Sequence, residues 1–147
     1  MKNAVIIGAI ALLALVGAVM WSNSLSSSDT TIVSRSGIHW HPELEIYIKG
    51  EKQEIPQGIG LAGVHNPIHT HEDLPLIHME FSGRVTEEDT KLSNFFEVLG
   101  KTFNSSQIFE YQNGPDGMVH MFVNGAENTE FENYHMHDGD KIEIRYE

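Results

Sequence analysis

The tightest constraint on this chain is a strict alternation in two short stretches. Leu44, Ile46 and Ile48 alternate with Glu43, Glu45 and Tyr47; Ile142, Ile144 and Tyr146 alternate with Lys141, Glu143 and Arg145. Successive side chains of a strand point to opposite faces, so each stretch reads as a strand with one buried and one wetted face. A sheet of this kind needs a cover for its apolar face. Leu92, Phe95, Phe96 and Leu99 fall at i, i+3, i+4 and i+7, one apolar stripe of a helix. Thr86 with Asp89 offers that helix a capping-box-like start, and Gly100 a stop. Further strands are expected over Gln53 to Pro56 after a turn of Lys49 to Lys52, over Pro75 to Phe81, over Ser106 to Gln112, and over Met118 to Val123 before Asn124-Gly125. Three strands, a helix and three strands imply an α+β fold, a single twisted β-sheet with one packed helix.

The chain has two further parts before this domain. Ala4 to Trp21 is a run without a charge, preceded only by Lys2. It is expected to be an N-terminal transmembrane or signal helix over residues 1–21, with the rest of the chain exported. Residues 22–37 are serine-rich and read as a flexible tether. Residues 38–147 then form the extracytoplasmic domain, held at the cell membrane by a single pass, or secreted if the helix is cleaved. All 21 acidic residues lie beyond Trp21, and the net charge is −12. That balance excludes nucleic acid as a partner and concentrates cations near the surface. The chain has no cysteine, so burial must hold the domain together without disulfides, and metal ligands must come from His, Met, carboxylates or backbone.

The histidines are unevenly spread. Of nine, four fall between His65 and His78, and two more are His39 and His41. Parity brings several of them to one side. Ile77, Met79 and Phe81 take the apolar face of their strand, which sends His78 and Glu80 to the other. His39 and His41 share the face of Glu43 and Glu45 if the first strand extends back through Pro42. His69 and His71, two residues apart, also point one way on an extended segment. His39, His41, His69, His71 and His78 are therefore expected to form a metal site, since converging neutral imidazoles suit copper and zinc alike. Copper comes first because it outcompetes zinc for nitrogen, and because Met79, Met118, Met121 and Met136 stand next to histidines. Glu80 is expected to hold the outer ring nitrogen of His78 rather than to ligate. His135 and His137 form a candidate second metal site. His65 and His120 read as ordinary surface or core residues. No cysteine nucleophile, no serine in a G-x-S-x-G elbow and no glycine-rich phosphate cradle is present.

At "HWHPELEIYIKG", "HTHEDLPLIHMEF" and "KLSNFFEVLGKTF" the chain resembles a group of uncharacterised exported or membrane-tethered His-rich domains of archaea and bacteria. Their pattern is an HxH opening a strand, then H-T-H-D/E and I-H-x-E, then a short L-x-x-F-F-x-x-x-G helix. His39, His41, His69, His71, His78 and Glu80 match it; His135 and His137 do not belong to it. The end of the chain, with "VNG" and "DGD" before the last strand, is similar to β-grasp domains, which implies a β-grasp-like sheet. A likeness to cupins fails, because the glutamate and the second cupin motif are missing. The expected function is metal capture or delivery at the histidine cluster, with no requirement for catalysis. The alternatives are a metal-dependent enzyme using the same cluster, or a metal-free surface or assembly module with a protein partner at the cell surface and pH-sensitive histidines.

Overall fold

The computed structural model describes residues 31–147. The anchor or signal helix expected over residues 1–21 lies outside the described residues, as does most of the serine-rich tether. Among the described residues no helix is long and apolar enough to cross a membrane.

The two alternating stretches become the paired centre of the main sheet. β3 (Glu43–Ile48) and β13 (Lys141–Tyr146) run parallel, with Leu44 opposite Ile142, Ile46 opposite Ile144 and Ile48 opposite Tyr146. All six side chains are buried on one face, as the alternation requires. β4 (Glu51–Gln53) extends this sheet beyond β3, and β11 (Val119–Val123) with β12 (Ala126–Glu127) extends it beyond β13. Both hairpins turn on two residues with positive φ, Lys49-Gly50 at 52° and 83°, and Asn124-Gly125 at 53° and 82°. That is the backbone that lets a two-residue turn follow the twist of its strands.

Among the described residues the one α-helix, α1 (Leu92–Leu99), buries Leu92, Phe95 and Phe96, with Leu99 packed at the margin of the core. It ends on Gly100 at φ 71°, where the amides of Gly100 and Lys101 donate to the carbonyls of Glu97 and Phe96. The Thr86–Asp89 box caps something else: the Asp89 carboxylate accepts from both the amide and the hydroxyl of Thr86, at the head of a 3-10 turn over Glu87–Thr90. α1 starts later, its first amide satisfied by the carbonyl of Tyr134.

The expected α+β fold with a single sheet, β-grasp-like, is not what forms. The described residues are mostly β, 40% strand against 13% helical, in four separate sheets. Beside the five-stranded sheet stand a three-stranded sheet of β2 (Ile38–Trp40), β6 (His78–Phe81) and β5 (Ile68–His69), and a pair of β1 (Ile32–Ser34) with β7 (Val85–Thr86). A third small sheet joins β8 (Phe103–Asn104), β9 (Gln107–Ile108) and β10 (Tyr111–Gln112). Local chemistry explains the fragmentation. Pro42 has no amide to give to a ladder, and β2 ends before it instead of running on into β3. The stretch expected as one strand over Ser106 to Gln112 folds back on itself at Phe109, whose φ is 53°. β1 also takes up part of the expected tether, so the compact unit begins at Ile32.

Candidate metal centre

The sheet β2-β6-β5 has two unlike faces, and the register decides which residues meet. Trp40 lies opposite Met79, and Met79 opposite Ile68; this apolar row turns inward, with Met79 and Ile68 buried. One residue along each strand, the row is polar. His69 sits directly opposite His78, and His39 directly opposite Glu80. His41, just past the end of β2, falls beside His78, with ring centroids 4.8 Å apart. His39 reaches the site on β2 and His41 just beyond it, and not on the extension of β3 through Pro42 that the sequence reading allowed for.

Within this row the imidazoles form two triads, His39–His41–His78 and His69–His71–His78. In each, the ligand atoms all lie within 4.8 Å of one another. His69 Nε2 and His71 Nε2 are 3.1 Å apart. Two nitrogens bound to one zinc at ~2.0–2.1 Å stand about 3.4 Å apart at the tetrahedral angle, so this pair is close to ligand spacing without rearrangement.

Neighbouring oxygens fix which nitrogen each ring presents. His69 Nδ1 lies 3.1 Å from the carbonyl of Asn66, leaving Nε2 for an ion. His78 Nε2 lies 3.0 and 3.1 Å from the two carboxylate oxygens of Asp73, leaving Nδ1. His39 Nε2 lies 3.2 Å from Glu80. An oxygen acceptor behind a ligand imidazole is the usual support for a metal-bound histidine. Glu80 thus supports His39, its cross-strand partner, and not His78. Asp73 takes the place behind His78, and the proton shared with that ring holds its carboxyl below the usual range.

The loop between His69 and β6 is pinned from several sides. Thr70, fully buried between the two histidines, donates its hydroxyl to the carbonyl of Pro56 and accepts the amide of Ile59. Its backbone pairs with Ile59 and Gly58. The amides of Ile77 and Leu44 donate to the carbonyls of Pro42 and Pro75, which anchors the return to β6. Gly60 is required where it stands: φ is 76°, and a Cβ would lie 2.6 Å from the carbonyl oxygen of Ile68. His69 is itself fully buried, and that burial, more than the nearby His65 and His71, holds its pKa below the ordinary histidine value. It is neutral at pH 7, the form a metal ion needs.

His135 and His137, the candidate second site, each engage separate neighbours. His135 Nδ1 bonds the carbonyl of Glu87 at 2.8 Å, while exposed His137 stacks over Trp40 and lies 3.5 Å from Asp140. Neither enters a triad. Met79, Met121 and Met136 belong to the hydrophobic core, and only Met118 is exposed. His120 Nδ1 lies 3.9 Å from a carboxylate oxygen of Glu127. Exposed His65, read as an ordinary histidine, has its ring centroid 4.5 Å from that of His69 but enters neither triad. The Asn66 side chain accepts the amide of Ile68 and turns the chain into β5. Comparison with known proteins finds no matching family model, no matching curated protein and no matching solved structure.

Proposed function

We propose that this is an extracytoplasmic, membrane-tethered protein that captures or delivers a copper or zinc ion through its histidine cluster. The observation that carries the reading is the pair of triads on one sheet face, with the ring nitrogens of His69 and His71 already at near-ligand spacing. Oxygen acceptors behind His39, His69 and His78 support it, as each leaves one nitrogen free to ligate. A net charge of −12 draws cations toward the domain. The buried methionines offer no thioether, so the donors are nitrogen, which suits copper(II) and zinc better than copper(I). The likeness of Ile38 to Gly100 to exported His-rich domains, and the uncharged run after Lys2, support a location outside the cytoplasm.

The test is elemental analysis of protein made without a His tag, with thermal unfolding before and after chelation. We expect about one equivalent of copper or zinc and a fall in melting temperature when it is removed. Replacing His69 and His71 with alanine abolishes tight binding; replacing His135 and His137 leaves it in place. Wild-type protein that neither carries nor takes up either metal would refute the reading.

A further inference from the structure

The two triads share His78, and His78 has one nitrogen to give. Its Nε2 is held by Asp73, which leaves Nδ1 alone for an ion. A neutral imidazole ligates through one nitrogen while the other keeps its proton. The triads therefore cannot both be complete: an ion in one takes the shared ligand from the other.

They also differ in access and in rigidity. On one side the His39 side chain is 65% exposed and that of His41 36%. On the other, His69 is fully buried and only His71 reaches the surface. Thr70 and the Asn66 carbonyl hold the His69–His71 pair in place, so little ordering remains when an ion arrives. His39 is tied only to Glu80 on a solvated surface, where an ion pair contributes little. The rings form a continuous row. Centroids are 4.7 Å apart from His39 to His41, 4.8 Å from His41 to His78, and 4.6 Å from His78 to His71. An ion can take each new nitrogen before it leaves the last.

Resting on the metal-binding reading above, we infer that the two triads are two stations for a single ion. His39 and His41 take it from solvent, and His78 passes it to His69 and His71, where it is retained.

Cobalt(II) added to metal-free full-length protein tests this, because its visible absorption reports nitrogen ligation both at equilibrium and in stopped flow. Wild-type protein should bind about one equivalent. In His39→Ala/His41→Ala, capture and release should both slow by about tenfold or more, with a smaller change in affinity. His69→Ala/His71→Ala should still bind in the outer station, about tenfold or more weakly and with an altered spectrum. His71→Ala alone, at an exposed position that burial does not depend on, should do the same. Two equivalents in the wild type, or unchanged capture without His39 and His41, would overturn the two-station scheme and leave metal binding standing; the second result would mean direct entry past His71. No binding by the wild type would remove the metal reading itself.

Discussion

Thr70 orients two ligands without being one. Its buried hydroxyl bridges the Pro56 carbonyl and the Ile59 amide, so the peptide on either side cannot turn freely. Thr70→Val keeps the shape and strands both partners, which should cost about 1–3 kcal/mol in urea unfolding and weaken metal binding as well. His69 makes stability depend on pH. Its folded pKa is lowered, mainly by burial. The unfolded chain therefore takes the proton first, at about pH 6.5. Above that pH the group contributes no slope; as pH falls through it toward the lower folded value, stability is lost. The urea midpoint of metal-free protein should drop between about pH 7 and 5, and His69→Gln should flatten that drop. At this scale much of the site was legible, because parity alone sends His39, His41, His69 and His78 to one side. The partners were not. Asp73 and His65 arrive by loop turns, and no periodicity reports where a loop returns.

Elements with strong periodicity were legible and the connections between them were not. Leu44, Ile46, Ile48, Ile142 and Ile144 are buried as their alternation demands, and Phe95 and Phe96 fill the space over the sheet. Phe96 also stacks on Phe103, with ring centroids 4.6 Å apart. Phe95→Ala should cost about 3–5 kcal/mol by chemical denaturation, since a fully buried ring leaves a cavity. A loss below ~1 kcal/mol would show that the helix does not face the core. The division into four sheets was hidden because it depends on backbone states that side-chain type signals poorly. Phe109 at φ 53° and Phe131 at φ 48° are turns built on bulky residues, where glycine or asparagine would have announced them. Strands of two or three residues carry too few alternations to be read at all.

For the whole molecule, the proposed location outside the cytoplasm makes its own prediction. In the proposed topology, Lys2 before the uncharged run Ala4 to Trp21 would keep the amino terminus inside and the domain outside. Protease added to intact cells or spheroplasts should therefore remove it; protection would reverse the topology. The parallel pairing of β3 with β13 bears on how such a domain reaches its place. It joins Leu44 to Ile142 and Ile48 to Tyr146, so the centre of the main sheet is built from distant parts of the chain. Contacts of such long sequence separation form late and slow folding. A chain still emerging from the ribosome can pair β3 with β4 alone, and the other edge of β3 stays open until β13 is made. If the chain is exported as proposed, this keeps it threadable while it crosses, and the core closes only once β13 has followed.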